Sequence, residues 1–233
     1  MLDLFIFSDP ICPWCYIGKA RLWRALEQRP DHPFAISWHP FMLNPDMPPG
    51  GMDRRAYLEA KFGGREGAVR AYMPIAEAAE AEGLEINLDK ITRTPNTLDA
   101  HRLIHWAGIE GRQAAVVSAL FRAYFVDGRD IGAQGELADI AESCGMERAV
   151  VTRLLASDAD REEIRARDAD ARRKGVRAVP THVIANQAVV AGAQTTDFWL
   201  EVIDELTAKL SGATDEGAGP APAAPPGEDG PTC

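Results

Sequence analysis

Residues 2–15 open with the apolar run Leu2-Asp3-Leu4-Phe5-Ile6-Phe7 and close on Cys12-Pro13-Trp14-Cys15. The run reads as a short strand. The residues from Pro13 to about Arg29 read as a helix, with Cys15, Leu22 and Leu26 on one face. Two cysteines separated by two residues at a helix start are the arrangement that thiol–disulfide exchange requires. The free amides and the dipole of a helix N-terminus favour a thiolate at Cys12. Cys15 follows one turn later, within reach of a mixed disulfide formed on Cys12. Cys12 is therefore the expected nucleophile and Cys15 the expected resolving thiol. Pro13 and Trp14 carry no reactive group but set the surroundings of the sulfur, and both are expected to contact substrate.

Two other uses of a close cysteine pair fit less well. Half a zinc site calls for a second close pair of Cys or His ligands, whereas the remaining cysteines, Cys144 and Cys233, are single and remote from each other. A structural disulfide across two residues closes too small a loop to restrain the unfolded chain. No resident metal is expected.

Beyond this helix, Pro30-Asp31-His32-Pro33 stops the chain and turns it, and residues 34–41 alternate apolar and polar as a second strand. Gly18 leaves room for a neighbouring backbone. From about Asp53 to Lys174 the character is helical. Val69, Tyr72, Met73, Ala76 and Ala79 recur at helical spacing, Leu84 to Leu88 reads as a brief extended piece, and Asn96 reads as an N-cap for Ala100, Leu103, Ile104 and Ala107. Val117, Leu120, Phe121 and Tyr124 form a further stripe, as do Leu137, Ile140, Ala141 and Cys144. Arg161 to Lys174 forms a charged helix ending at Gly175. Strand signals return at Thr181–Ala185 and Ala188–Ala191, split by Asn186-Gln187 as a tight turn. Phe198 to Leu210 reads as a last amphipathic helix, with Phe198, Val202, Ile203 and Leu206 inward.

The expected fold class is thus α/β, a domain split between residues 1–44 and 175–210 by an all-α insertion at 53–174. Residues 211–233, rich in Pro, Gly and Ala, read as a disordered acidic tail.

The 233 residues, 46% of them hydrophobic, suffice for a core without disulfide support. The net charge of −10 argues against nucleic acid as a partner, since phosphate binding needs a basic footprint. No apolar stretch approaches a membrane span. The Met-Leu-Asp start runs straight into the first strand without a signal core, so a cytoplasmic location is expected.

A second motif, Val179-Pro180-Thr181, bears on the same chemistry. Proline cannot donate to a sheet ladder, so one at the head of a strand is either a trans residue opening an edge strand or a cis bond that presents the Val179 backbone beside the cysteines. His182 shares a face with Pro180 and is a candidate to approach Cys15 or substrate. His101 and His105 stand four apart on a helix. Hydrogen bonding is the plainer role for them than metal ligation, because Arg102 sits where a metalloprotease pattern needs Glu, and His101 is a candidate to line the cleft between the two parts. Cys144 reads as buried and structural, Cys233 as an accessible thiol.

Residues 9–18 (Asp9-Pro10-Ile11-Cys12-Pro13-Trp14-Cys15-Tyr16-Ile17-Gly18), 96–103 (Asn96-Thr97-Leu98-Asp99-Ala100-His101-Arg102-Leu103) and 175–181 (Gly175-Val176-Arg177-Ala178-Val179-Pro180-Thr181) together resemble the FrnE branch of the DsbA family. The resemblance spans about residues 1–210. It implies a thioredoxin fold with an inserted helical domain, a catalytic Cys-Pro-Trp-Cys at Cys12–Cys15, and a cis-proline loop at Pro180 that docks substrate with Val179 and Thr181. The neighbouring 2-hydroxychromene-2-carboxylate isomerases and kappa-class glutathione transferases bind glutathione and generally carry serine where this chain has Cys12. The expected activity is thiol–disulfide oxidoreduction on a protein or small-molecule thiol or disulfide, with no tightly bound cofactor and with glutathione as an open co-substrate. Two alternatives stand beside it: a glutathione-dependent isomerase or transferase acting on a small aromatic compound, and a redox-switched chaperone or binding module. A homodimer is left open.

Overall fold

In the computed structural model, which describes residues 1–215, the chain runs β1 (Leu2–Ser8), α1 (Pro13–Gln28) and β2 (Phe34–Pro40), then a helical block, then β5 (Thr181–Ile184), β6 (Ala188–Ala191) and α9 (Thr196–Asp215). The block holds α2 (Arg54–Phe62), α3 (Arg65–Ala81), α4 (Leu98–Ile109), α5 (Gln113–Phe125), α6 (Gln134–Ser143), α7 (Arg148–Ala156) and α8 (Arg161–Arg173). It also holds two short strands, β3 (Met52–Asp53) and β4 (Arg93–Thr94), which pair antiparallel and were not legible in the sequence.

The main sheet has the order β2-β1-β5-β6. β1 and β2 are parallel, with Leu2 opposite Phe34 and Ser8 opposite Pro40. β5 runs antiparallel to β1, Ile6 facing His182 and Phe7 facing Thr181. Helix α1 is the crossover between the parallel pair. It starts with Pro13 in the first turn, where a missing N–H is harmless. It ends because Pro30 forces Arg29 out of helical geometry, to φ −131° and ψ 70°. α1 packs along α9, and Leu4, Ile6, Leu22, Ala25, Trp199 and Ile203 are buried in a core that continues into the helical block through Leu103, Leu120 and Phe121.

The β5–β6 turn differs from expectation by one residue. Ala185 (φ 50°) and Asn186 (φ 55°) are its two left-handed central residues, and Gln187 N–H donates to Ile184 O at 2.9 Å. Two positive φ values match the twist of the flanking strands, and Ala185 accepts one of them because Asn186 supplies only the second.

Several helical readings shift as well. The inward face of α3 is Ile75 and Ala79, against Ile17 of α1, while Val69 and Met73 are 54% and 53% exposed. Ala79 belongs to the expected stripe and is buried as expected, with Tyr72 half-buried beside it, whereas Ile75, outside that stripe, takes the buried place expected for Met73. Leu84 to Leu88 forms no strand. Helix α4 starts at Leu98 with Thr97 at its cap, and Asn96 still contributes, its Oδ1 accepting from Leu98 N–H at 2.9 Å. Cys144 is half-buried at the C-cap of α6. α9 begins two residues earlier than expected and extends through Ser211–Asp215, five residues that the tail had been expected to include. Once a helix is nucleated each further residue adds a hydrogen bond, and Ser211 Oγ donates back to Thr207 O at 3.0 Å. The rest of the expected tail, with Cys233, lies outside the described residues. Among the described residues no helix is long and apolar enough to cross a membrane.

The expected stripe of α9 omits its most important member. Trp199 is fully buried, its ring meeting His182 edge-on at 4.8 Å and Phe198 at 5.5 Å. Trp199→Ala is expected to cost about 3–5 kcal/mol, read as a lower urea midpoint with an unchanged m-value.

Candidate active site

The C-terminal end of β1 and the N-terminus of α1 bring the two cysteines together. Cys12 is the N-cap residue of α1, and Cys15 lies in its first turn, with its N–H donating to Cys12 O at 3.1 Å. Both are free thiols, 4% and 1% exposed. The Cys12 Sγ donates to Val179 O at 3.6 Å, across 167 residues of sequence. The Val179–Pro180 peptide is cis. The Pro180 ring rests over α1 at Gly18, where an added Cβ would stand 3.1 Å from Pro180 Cγ and 3.3 Å from Ala193 Cα. That close approach is why glycine suits position 18. Thr181 Oγ1 donates to Ala178 O at 2.7 Å and holds the loop from behind.

The two sulfurs occupy different environments. Cys12 borders a cleft of about 280 Å³, whose walls include Pro13, Trp14, Leu43, Phe62, Ile75 and Val179. Cys15 sits behind it. Burial raises the Cys15 thiol well above the ordinary value, the neighbouring Cys12 sulfur adds to the rise, and hydrogen bonds from Ser8 and the Asp9 backbone oppose it. A buried thiol of this kind stays protonated until its partner sulfur calls on it.

Beneath the cysteine turn lies Asp9, fully buried. Its carboxylate accepts Ile11 N–H at 3.2 Å, Leu43 N–H at 2.7 Å and Thr97 Oγ1 at 3.4 Å. One side chain thus ties the end of β1 to the segment after β2 and to the start of α4. Burial pushes its carboxyl up to about 7, against the lowering effect of these hydrogen bonds. Helix α8 braces the same segment, since Asp168 Oδ1 accepts Met42 N–H at 2.7 Å and Arg172 lies over the Phe41 ring at 4.1 Å.

The two candidate histidines sit elsewhere than expected. His182 is buried under α9, with Nδ1 3.4 Å from Val190 O and its ring against Trp199. Its position on β5 turns it into the core, so its neighbours are core groups and not substrate. His101 is likewise buried, bordering a cavity of only about 10 Å³ with Ser8, Pro10 and Trp38, its Nε2 3.9 Å from Asp9 Oδ1. It lies under the cysteine turn and not along the open cleft, because the α4 face that carries it packs inward. His105 faces Arg167 at 3.0 Å.

These buried groups set the pH response of the fold. Desolvation lowers His39, His101 and His182 to about 4, so each contributes stability above 6.5 that is lost as pH falls through 4. Asp9, raised to about 7, works in the opposite direction, its contribution being full below 3.8 and lost as pH rises through 7. Three groups outweigh one between pH 6.5 and 4. Unfolding free energy is expected to fall by a few kcal/mol across that window. In Asp9→Asn the fall should be steeper, because the single opposing group is gone. Urea titrations at stepped pH measure both.

The cleft also holds residues that sequence reasoning missed: Arg54, Tyr72 and Tyr124. Arg54 Nη1 donates to Tyr124 Oη at 3.0 Å and Nη2 to Tyr72 Oη at 3.2 Å. In the sequence Arg54 is one of two adjacent arginines after Asp53, and nothing local separates it from a surface residue.

A family model described as the DSBA-like thioredoxin domain matches residues 3–204. A probable DsbA oxidoreductase of Streptomyces coelicolor has a similar structure, with 30% identity and a TM-score of 0.77, covering 88% of this chain and 89% of that one. A 2-hydroxychromene-2-carboxylate isomerase superposes with a TM-score of 0.66 at 16% identity, covering 93% of this chain and all of its own. The cytosolic disulfide reductase DsbM of Pseudomonas aeruginosa, solved with GSH, gives a TM-score of 0.58 at 21% identity, covering 91% and 99%. The last two share the fold.

Proposed function

Because the chain belongs to the family of DSBA-like thioredoxin domains, we propose that it is a thiol–disulfide oxidoreductase in which Cys12 attacks and Cys15 resolves. The observation that carries this reading is the asymmetry of the pair. Cys12 borders the cleft at a helix N-cap, against Val179 O, while Cys15 is held behind it as a buried thiol. In the reducing direction, Cys12 thiolate attacks a substrate disulfide and releases one substrate sulfur as a thiol. Cys15 then attacks Cys12 Sγ, the mixed disulfide breaks, and the second substrate sulfur leaves, taking a proton. Oxidation of a dithiol is the same sequence reversed. Val179, Pro180 and Thr181 form the docking edge, with Pro13 and Trp14 opposite. Residues 1–44 and 175–210 act as the thioredoxin-like unit, and 53–174 as the helical insertion that walls the cleft. We place the protein in the cytoplasm, in keeping with the cytosolic DsbM neighbour.

A second reading is glutathione-dependent isomerisation, favoured by the isomerase neighbour. The paired cysteines favour exchange over it. An equilibrium redox titration in glutathione buffers, read by thiol-trapping mass spectrometry, separates the two. The oxidoreductase gives one two-electron transition of Cys12 and Cys15. If no intramolecular disulfide forms in any buffer while glutathione binds reversibly, the isomerase reading replaces it.

A further inference from the structure

Arg54 is an oddity of charge placement. It is only 6% exposed, yet among the described residues it makes no ion pair with a carboxylate. Its guanidinium is held by two tyrosine hydroxyls and lies 5.3 Å from the Tyr72 ring centroid and 5.8 Å from that of Tyr124. Tyr124 passes its own proton on to Arg93 O at 3.2 Å. These contacts orient the cation without neutralising it. A buried charge left without a counter-charge is costly, and an arriving anion recovers that cost.

The surroundings point the same way. Among the described residues the cleft lining holds two cations, Arg54 and Lys61, and no Asp or Glu, in a protein whose net charge is −10. Lys61 is exposed at the rim, its Nζ donating to Tyr57 Oη at 2.7 Å. Cys12 borders the same cleft, and apolar walls from Trp14, Phe62 and Ile75 separate these polar points. The volume, about 280 Å³, is at the small end of ligand pockets.

We propose that Arg54 is the carboxylate-binding residue of this cleft, and that the substrate which uses it is a small acid-bearing thiol or its disulfide. This deepens the oxidoreductase reading and rests on it for the role of Cys12. The planar guanidinium is suited to a carboxylate in two-point contact. Anchored there, the ligand's sulfur is delivered toward Cys12. With the oxidised protein, the ligand thiolate attacks Cys12 Sγ, the Cys12–Cys15 bond breaks, and Cys15 leaves with the electron pair and takes up a proton. A second ligand thiolate then attacks the ligand sulfur of that mixed disulfide, and Cys12 leaves with the electron pair, giving ligand disulfide and the reduced pair.

S-methylglutathione, which cannot exchange, tests the binding step on the full chain by calorimetry. Its diethyl ester tests the charge. The acid is expected to bind at least about tenfold more tightly than the diester, as charge-assisted contacts imply. Arg54→Gln should remove that difference by weakening the acid alone, and Arg54→Lys should restore part of it. Equal affinity of the wild type for acid and diester, or an equal loss of both in Arg54→Gln, overturns the proposal. Exchange of Cys12 with neutral 2-hydroxyethyl disulfide is measured alongside on the wild type, and the far-UV circular dichroism and urea midpoint of Arg54→Gln show that the variant is folded. Exchange without S-methylglutathione binding sinks the role of Arg54 and leaves the oxidoreductase standing. Arg54-dependent binding without exchange at Cys12 upholds the anion site and sinks the oxidoreductase.

Discussion

Cys12→Ser is expected to reduce thiol–disulfide exchange by about a thousandfold or more, to the rate of the uncatalysed reaction. A serine hydroxyl at the N-cap of α1 keeps the geometry and removes the one sulfur that borders the cleft among the described residues. Its alkoxide is not formed near neutral pH, so no covalent intermediate is available. Cys15→Ser behaves differently. The first attack survives, because Cys12 keeps its place against Val179 O, but the mixed intermediate has no internal route to resolve. Turnover is lost while a single burst of adduct remains. Stopped-flow release of a chromogenic thiol distinguishes the two, with no burst in Cys12→Ser and one equivalent in Cys15→Ser.

A stability loss as large as that of Trp199→Ala is expected from Arg102→Met. Arg102 is completely buried in α4 and binds the end of α7 and the loop after it. Its Nε donates to Ala159 O at 2.7 Å, and Nη2 to Leu154 O at 2.6 Å and Ser157 O at 2.9 Å. Nη1 reaches Asp99 Oδ1 at 2.8 Å, and the guanidinium lies 4.9 Å from the Trp106 ring centroid. The last carbonyls of a helix have no partner within it, and here one side chain supplies several at once. Methionine fills similar space but removes the side-chain donors to Ala159 O and Ser157 O and leaves Asp99 with Arg161 alone as its cation. A loss of about 3–5 kcal/mol follows, a large part of the stability of a typical domain. Arg102→Lys should lose less, since a lysine retains the charge and three donors. Denaturant midpoints provide the measurement, and exchange at Cys12 in the folded fraction should be unchanged.

The sequence was most readable where chemistry is local. Strand, cysteine pair and helix start lie within one short segment, and Gly18 and Pro180 carried their meaning in their own backbone limits. The β-α-β opening, the strand hairpin and the last helix follow from periodicity and punctuation for the same reason. What stayed hidden depends on partners far away in sequence. Asp9 adjoins the cysteine turn, but its partners Leu43 and Thr97 arrive from two other elements. Arg54 is distinguished from its neighbour Arg55 only by Tyr72 and Tyr124 closing round it. Helical spacing alone also put Met73 and not Ile75 on the buried side of α3, because the deciding factor is Ile17 on α1. His182 was read by its nearness to Pro180 along the chain and His101 by its spacing from His105, whereas the inward face of α4 carries His101 into the interior and packing under α9 buries His182.

The most direct test is to trap the mixed disulfide. Cys15→Ala, incubated with a disulfide-bonded peptide and analysed by intact mass and peptide mapping, should carry one peptide on Cys12, released by reductant. Wild type under the same conditions should show the Cys12–Cys15 disulfide and free peptide thiols. An adduct confined to Cys144 or Cys233, with Cys12 unmodified, would contradict the account.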